Sequence, residues 1–104
     1  MKLYYETKGL EKKLSDERLI KKYFGNLAKN LSIRLAELEA ANTLADIPQI
    51  PPPRCHRLLG KRNNQWGIWI SNNYRLIVIP IGECDLENLS TVKAVKIVDI
   101  VDYH

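Results

Sequence analysis

The sequence has little cysteine and no long apolar run: its 104 residues include two cysteines, Cys55 and Cys84. Two cysteines do not make the disulfide framework that stabilises small secreted domains, so a reducing cytoplasm is expected. No stretch approaches the roughly 20 apolar residues that a membrane-spanning helix needs. The N-terminal segment also lacks the apolar stretch and the small-residue cleavage site of a signal peptide. We therefore expect a cytoplasmic protein that makes no membrane contact.

The common catalytic signatures are missing as well. The chain has no phosphate-binding glycine loop, no Gly-x-Ser-x-Gly elbow and no His-Glu-x-x-His motif. The candidate zinc ligands are Cys55, His56, Cys84 and His104, but no pair among them has the spacing of zinc ligands. Cys55 and His56 are adjacent, and adjacent residues of a strand point to opposite faces. The sequence therefore predicts no metal site and no cofactor. Nothing near Cys55 favours an activated thiolate, so a buried structural thiol is expected there.

The composition, with 45% hydrophobic and 27% charged residues, is that of a globular protein. The length suits one domain with its own core and is too short for two, so residues 1–104 are expected to form one domain. The net charge of +4 is unevenly spread, because residues 54–75 hold no acid and five bases: Arg54, Arg57, Lys61, Arg62 and Arg75. Such a block suits a polyanion site, but a solvated surface has the same composition, and charge alone favours the surface.

The N-terminal third reads as one strand followed by helices. Residues 2–5 favour a strand, and residues 7–14 favour a short helix. Ser15 then predicts the start of an amphipathic helix that reaches about Ala41, with Gly25 marking a bend or a break. We expect its polar face to lie in water, with these basic side chains on it: Lys21, Lys22, Lys29 and Arg34.

The remainder is rich in strand patterns after a proline-rich spacer at residues 42–53. Strands are predicted over 54–59, 65–71 and 74–79, with a tight hairpin turn at 71–73. Residues 92–101 carry apolar pairs that fit a helix about as well as a strand, and their β-branched density favours a strand. This order predicts an α+β fold, in which two N-terminal helices pack on one face of a small, mostly antiparallel sheet of about five strands.

Two groups of polar residues are candidates for chemistry. In a strand, Arg54 and His56 share one face, while at the chain end Asp102 and His104 share a face and Tyr103 takes the other. In the structural interpretation Tyr103 caps the core and His104 has no role. In the functional interpretation Asp102 orients an imidazole, and His56 and His104 exchange protons near neutral pH. The residue types alone leave both interpretations open.

The chain also resembles a known family, the HigB branch of the RelE/ParE toxin superfamily, also called plasmid-maintenance killer proteins. Two motifs are fairly specific together: a His-x-Leu-x-Gly-x-Arg turn at residues 56–62 and a terminal Asp-Tyr-His at 102–104. The segment Arg-Leu-Ala-Glu-Leu-Glu-Ala-Ala at 34–41 resembles the family's Arg-Leu-x-x-Leu-x-x-Ala helix. The resemblance covers essentially the whole chain and implies the RelE-like fold, a small sheet packed on two N-terminal helices.

The resemblance implies a toxin of a type II toxin–antitoxin system. Such toxins are typically ribosome-dependent endoribonucleases that enter the A site and cleave mRNA by metal-free attack of the 2′-hydroxyl. The implied partners are the ribosome, the mRNA and a HigA-like helix-turn-helix antitoxin. That antitoxin neutralises the toxin and represses the operon, so the toxin meets DNA only indirectly.

The resemblance also assigns roles to individual residues. His56 and His104 are expected to transfer protons, Asp102 to orient an imidazole, and Arg75 to bind the scissile phosphate. Tyr103 is expected to stack on, or hydrogen-bond to, the substrate nucleotide. The remaining basic residues of the block are expected to bind RNA, with the last two in the turn that grips phosphate: Arg54, Arg57, Lys61 and Arg62.

One departure from the family concerns Leu59, because many HigB toxins carry a lysine three residues after the motif histidine. Lys61 is expected to point the same way from a strand and to compensate. Two alternatives stay open: a catalytically weak RelE-fold module whose role is to bind the antitoxin, and a toxin that poisons gyrase, as ParE does.

Overall fold

The computed structural model describes residues 1–102, in which helices pack on one face of a five-stranded sheet. The strands are β1 (Lys2–Tyr5), β2 (His56–Arg57), β3 (Trp66–Trp69), β4 (Tyr74–Pro80) and β5 (Ala94–Asp102). The α-helices are α1 (Lys8–Lys13), α2 (Glu17–Phe24) and α3 (Ala28–Ala40). Short 3₁₀ turns occupy Gly25–Leu27, Leu44–Asp46, Gly60–Arg62 and Leu89–Thr91. Tyr103 and His104, to which the sequence assigns site roles, lie outside the described residues.

The order of the strands across the sheet is β1-β5-β4-β3-β2. Strand β1 runs parallel to β5, whereas the other three pairs are antiparallel. The expected α+β fold with a mostly antiparallel sheet of five strands is therefore confirmed, and one parallel pair makes the sheet mixed. Strand β4 lies in the middle of the sheet, and its residues Leu76, Ile77 and Val78 are 0% exposed, so it is buried on both faces, in agreement with its apolar sequence.

The core lies between the sheet and the helices. It is formed by fully or nearly fully buried side chains from both layers, including Leu31, Leu35 and Leu38 of α3 and Trp66, Ile68, Leu76 and Val78 of the sheet. Among residues 1–102, no helix has the length and apolar character to cross a membrane.

The short helix predicted over residues 7–14 is confirmed as α1, whereas the cap of the next helix differs from the prediction. Helix α1 begins after Thr7, whose Oγ1 accepts a hydrogen bond from the Leu10 backbone N–H at 3.0 Å. Helix α2 is capped by Asp16, which accepts from the Leu19 N–H at 2.9 Å, and not by Ser15. The Ser15 hydroxyl instead donates to the Lys12 carbonyl oxygen at 2.7 Å. A carboxylate at the N-cap also complements the positive end of the helix dipole, so Asp16 is the stronger cap.

Gly25 divides the predicted long helix into α2 and α3, so the region holds three α-helices where two were expected. Its φ is +52°, in a region that L side chains rarely adopt, and residues 25–27 form a 3₁₀ turn before α3 begins. The bend or break expected at this glycine is therefore confirmed.

Arg34 corrects the prediction that the polar face of the helix lies entirely in water. It is 8% exposed. Its Nε donates to the Trp69 carbonyl oxygen at 2.9 Å, and its Nη1 pairs with Glu37. Nearby, the Asn30 side chain donates to the Ile70 carbonyl oxygen at 2.9 Å. The end of β3 lies beside α3 and leaves these two carbonyls without strand partners, so polar helix residues satisfy them. Lys21, Lys22 and Lys29 are exposed as expected.

Strand β5 contains a one-residue bulge. Ile97 pairs with Val78 and Asp99 pairs with Ile77, so Val98 lies between two consecutive pairs. The buried face therefore passes from Ile97 to Ile100, a step of three residues. This step explains the helix-like apolar pairs in the sequence and confirms that the segment is a strand.

The strand predicted over residues 54–59 is only two residues long, His56–Arg57. It is preceded by Arg54, whose φ is 41°, and followed by the 3₁₀ turn at Gly60–Arg62. Lys61 therefore lies in a turn, and the expectation that strand alternation aligns it with Leu59 is wrong.

We predict that Gly25→Ala lowers the free energy of unfolding by about 1–3 kcal/mol, because alanine is strained at this positive φ. The added Cβ meets nothing within 4 Å, so the cost comes from the backbone alone. Urea denaturation measures the effect.

The matched control is Gly9→Ala within α1, where the added Cβ lies 3.8 Å from Thr7 Oγ1, an ordinary contact. This variant should be more stable than the wild type by about 0.5–1 kcal/mol. Equal stability of Gly25→Ala and the wild type would show that the break between α2 and α3 does not need glycine.

Candidate active site

The sheet face turned away from the helices, here called the open face, carries two rows of side chains that include three of the predicted site residues, Arg54, His56 and Arg75. Strand register sets the first row across β2, β3, β4 and β5 as His56, Gly67, Ile77 and Asp99. The second row consists of Trp69, Arg75 and Val101. Arg54, which precedes β2 in the chain, continues the second row next to Trp69, because its guanidinium carbon lies 5.1 Å from the centre of the Trp69 ring. The fold thus brings Arg54, His56 and Arg75 to one face, as side chains of directly paired residues share a face.

The His56 imidazole is oriented by a backbone carbonyl. Its Nδ1 lies 2.9 Å from the Arg54 carbonyl oxygen. A carbonyl can only accept a hydrogen bond, so Nδ1 carries the proton and Nε2 of the neutral ring keeps its lone pair. Nε2 is therefore the atom that can take up a proton from a substrate.

Gly67 lies beside His56 on β3 and makes room for the ring. A Cβ at this position would lie 3.1 Å from Leu58 Cδ2 and 3.6 Å from His56 Cε1. The absence of a side chain therefore lets Leu58 and the imidazole lie close over β3. Gly67 is not among the residues predicted from the sequence, because a glycine in a strand indicates a close approach but does not show which side chain approaches.

Arg75 is held rigidly at the β3–β4 turn. Its Nη1 donates to the carbonyl oxygens of Ser71 at 2.8 Å and Tyr74 at 3.0 Å, and its Nη2 donates to that of Asn72 at 3.0 Å. The guanidinium carbon also lies 4.3 Å from the centre of the Trp69 ring, and the residue is 8% exposed. Arg75 therefore stabilises the hairpin as well as placing a positive charge at the open face.

Trp69 is the aromatic centre of the second row. The guanidinium groups of Arg54 and Arg75 both lie over its ring. Its indole N–H is buried and, among residues 1–102, has no hydrogen-bond partner. The electron-rich ring face attracts both cations and so limits their motion.

Two of the four predicted RNA-binding cations are paired with acids from distant parts of the chain. Arg57 donates to Glu87 Oε1 at 3.0 Å, and Arg62 donates to Asp99 Oδ2 at 3.0 Å. Arg54 and Lys61 are exposed. The basic block of residues 54–75 is therefore partly compensated in space, although it contains no acid in the sequence.

Arg62 also lies across the open face, since it starts in the 3₁₀ turn next to β2 and reaches Asp99 on β5. A second hydrogen bond joins its Nη1 to Gln65 Oε1 at 3.2 Å. Ile77, which lies between these elements in the first row, is 0% exposed. The basic turn thus covers part of the open face, next to the row that holds His56.

Asp102 is placed apart from His56. It pairs with Tyr74, whose ring packs against the core on the helix side of the sheet. The register therefore assigns Asp102 to the helix side, whereas His56 lies on the open face. The bulge at Val98 causes this, because it shifts the alternation of the residues that follow it. The expected roles of Tyr103 and His104 concern residues outside the described part of the chain.

A cleft of about 400 Å³ has His56 in its lining. Cations, one acid and apolar residues line the rest of it, including Arg54, Arg57, Glu87 and Leu89. A larger cleft of about 500 Å³ lies between α2 and α3, but its lining contains none of the predicted site residues.

Cys55 is a buried structural thiol, as expected. It is 1% exposed, and burial raises its pKa from 9.0 to about 12, so the thiol remains protonated at physiological pH. Among residues 1–102, no group of three or more His, Cys, Asp or Glu side chains has an arrangement suited to a metal ion.

We predict that a thiol reagent at pH 8 modifies Cys84 in the native protein and leaves Cys55 unmodified, whereas both react after unfolding. Cys84 is partly exposed, while Cys55 is buried and protonated. A colorimetric thiol titration with and without denaturant measures this. Rapid native reaction of two thiols per chain would contradict the burial of Cys55.

The same thiol should make stability depend on alkaline pH. The folded-state pKa of the Cys55 thiol, about 12, lies above the unfolded value of 9.0. The contribution of the buried thiol to the free energy of unfolding is therefore complete below pH 9 and is lost as pH rises towards 12. The free energy of unfolding should fall by up to about 1.4 kcal/mol per pH unit from this group. The Cys55→Val variant is the control, and its pH slope in urea denaturation should be correspondingly smaller.

The chain is similar to toxins in sequence and in fold. A family model described as the RelE-like toxin of type II toxin–antitoxin system HigB matches residues 3–104. No curated protein sequence matches the chain. Six solved chains match it. One is a YoeB/ParE toxin from Agrobacterium tumefaciens, with a TM-score of 0.59 and 12% identity over 100% of this chain and 99% of that chain. At this identity the structural likeness shows the fold alone.

Proposed function

The chain belongs to the HigB-like family of RelE-like toxins from type II toxin–antitoxin systems, and we propose that it is a ribosome-dependent endoribonuclease. In this proposal it enters the ribosomal A site, cleaves mRNA there and so inhibits translation. The supporting observation is the His56 imidazole on the open face, with Nδ1 bonded to a carbonyl oxygen and Nε2 available as a base.

The proposed reaction is an internal phosphoryl transfer. Nε2 of His56 takes the proton of the 2′-hydroxyl, and the 2′-oxygen attacks the adjacent phosphorus. The bond from phosphorus to the 5′-oxygen breaks, which leaves a 2′,3′-cyclic phosphate on one fragment. A second group returns a proton to the 5′-oxygen of the other fragment, and we assign this role to His104.

Positive charge at the open face supports this reaction, because charge accumulates on the phosphate oxygens in the transition state. Arg75 is held by three carbonyl oxygens and by the Trp69 ring, so its charge needs no reorganisation when RNA binds. Arg54 and Lys61 are exposed and are proposed to bind flanking phosphates. Arg57 and Arg62 are also proposed to bind RNA, although each forms an ion pair with an acid of this chain.

The terminal residues complete the proposed site. Tyr103 is proposed to stack on the substrate nucleotide, and Asp102 is proposed to orient an imidazole. The described part of the chain gives His56 a different orienting partner, the Arg54 carbonyl oxygen. The proposed imidazole for Asp102 is therefore that of His104.

Membership in a type II toxin family implies an antitoxin partner. We propose that this partner is a HigA-like helix-turn-helix protein that neutralises the toxin and represses the operon. The toxin then meets DNA only through the antitoxin, and both act in the cytoplasm. The gene adjacent to that of the toxin should encode this protein.

Leu59 supports a second candidate function, a catalytically weak module whose role is to bind the antitoxin. This leucine is 83% exposed at a position where many HigB toxins have lysine. Lys61 does not replace that lysine by strand alternation, because it lies in the 3₁₀ turn. A missing cation near the phosphate is expected to cost about 10²–10³-fold in rate.

We predict that His56→Gln reduces mRNA cleavage by about 10²–10⁴-fold, because the variant has lost the proton-accepting imidazole. The wild-type protein and the variant are expressed in bacteria, growth is followed, and mRNA 5′ ends are mapped. The His56→Gln, His104→Gln double variant should restore growth completely. Lys22→Gln, on the exposed surface of α2, is the control that should arrest growth like the wild type.

Two results would contradict the nuclease. Continued translation without new cleavage sites, in cells that contain folded wild-type protein, favours the antitoxin-binding module. DNA breaks with intact mRNA would instead indicate a gyrase poison. Thermal unfolding of each purified variant verifies that a loss of cleavage is not a loss of folding.

We predict that Leu59→Lys increases mRNA cleavage, by up to about 10²-fold, because it restores a cation near the phosphate. The side chain is exposed, so the stability of the protein should be unchanged. Leu59→Met is the uncharged control. Cleavage rates in a translating extract measure the effect, and no increase would mean that the lysine position is dispensable in this chain.

A further inference from the structure

We propose that Arg54 is a positioning residue whose left-handed backbone aims its carbonyl oxygen at His56 and thereby sets the tautomer of the imidazole. This inference rests on the proposed function of His56 as a base. It assigns to the backbone of Arg54 a role separate from the contact of its side chain with RNA.

The backbone of Arg54 is unusual. Its φ is 41°, in the left-handed region that residues other than glycine rarely adopt. Asn64 is the other described non-glycine residue with positive φ. In the extended strand predicted for residues 54–59, the carbonyl of Arg54 would take part in strand pairing. In the observed conformation it instead meets His56 Nδ1 at 2.9 Å.

The surrounding chain holds Arg54 in this conformation. Its backbone N–H donates to the Ile50 carbonyl oxygen at 3.0 Å. The next N–H, of Cys55, donates to Pro48 at 2.9 Å, and the carbonyl of Pro53 accepts from Trp69 N–H at 2.7 Å. Hydrogen bonds on both sides of the residue therefore fix its backbone, which is the condition under which a strained conformation persists at a functional site.

The side chain of Arg54 gives a reason why this position is not glycine, which would adopt the same φ without strain. The guanidinium carbon lies 5.1 Å from the centre of the Trp69 ring, and the side chain lines the cleft next to His56. One residue thus supplies a cation to the second row through its side chain and orients the base of the first row through its backbone.

The consequence for His56 follows from the tautomers of imidazole. An unrestrained neutral imidazole prefers the proton on Nε2, which then has no lone pair to accept the 2′-hydroxyl proton. The Arg54 carbonyl oxygen stabilises the opposite tautomer, with the proton on Nδ1. If the peptide turned away, a larger fraction of His56 would be unable to act as the base.

Two variants separate the backbone from the side chain. Arg54→Gly and Arg54→Val both remove the guanidinium, so any weakening of RNA binding is common to them. Glycine adopts positive φ freely, whereas β-branched valine opposes it. The carbonyl should therefore keep its direction in Arg54→Gly and lose it in Arg54→Val.

The first measurement is the tautomer of His56 in the free protein, read from the ¹⁵N and ¹³C chemical shifts of the imidazole at alkaline pH. The chain has two histidines, and the spectrum of His56→Gln identifies which signals belong to His56. We expect the Nδ1–H tautomer in the wild type and in Arg54→Gly, and a shift towards Nε2–H in Arg54→Val.

The second measurement is mRNA cleavage in a translating extract. Arg54→Val should have a kcat roughly 10-fold below that of Arg54→Gly, a smaller loss than that of His56→Gln because part of the imidazole keeps the competent tautomer, while the two variants share one KM. An Nε2–H tautomer in the wild type, or one tautomer in both folded variants, would overturn the proposal. If Arg54→Val does not fold, the tautomers of the wild type and Arg54→Gly still decide, since a changed tautomer in Arg54→Gly also contradicts a backbone role.

The two readouts also separate this inference from the proposed function. The tautomer is observed without RNA or ribosomes, so it is decided even if the protein cleaves nothing. Conversely, cleavage that persists with the Nε2–H tautomer would leave the nuclease in place and remove only the role of Arg54.

Discussion

The pairing of β4 with β5 determines which side chains share the open face, and the bulge at Val98 is its decisive feature. Before the bulge, Ile97 faces the core; after it, Asp99 faces the open side and Ile100 returns to the core. One additional residue therefore reverses the face of every later position in the strand. The ion pair of Asp99 with Arg62 and the separation of Asp102 from His56 both follow from this reversal.

The open face is organised by groups that are fixed before any ligand arrives. Carbonyl oxygens at the ends of strands hold both the Arg75 guanidinium and the His56 ring, and the Trp69 ring lies under two cations. Such a surface presents charge and a proton acceptor in set positions, which is the arrangement that stabilises a transition state with little reorganisation. The same contacts close the hairpin, so the site and the fold depend on the same hydrogen bonds.

The family match indicates the function of the chain more closely than its fold does. A RelE-like sheet with N-terminal helices is shared by this chain and by a YoeB/ParE toxin at 12% identity, and one fold can serve different targets. The HigB-like family match narrows this to a toxin of a type II system. The chemistry then depends on individual positions. His56 is the residue on which the proposed nuclease activity rests, and Leu59, in place of the lysine of many HigB toxins, is the residue expected to lower the cleavage rate.

Local patterns in the sequence were sufficient for the α+β class, the strand character of β5, the break at Gly25 and the burial of Cys55. These features follow from residues that are close in the sequence, and the propensity and periodicity of such residues indicate helix, strand or burial. Other features join residues far apart, such as Arg57 with Glu87 and Arg62 with Asp99, which are 30 and 37 positions apart. No local pattern specifies such pairs, because they depend on strand register and on where loops return. For the same reason only the tertiary structure decided that Arg34 is buried beneath β3 and that the Arg54 carbonyl meets His56.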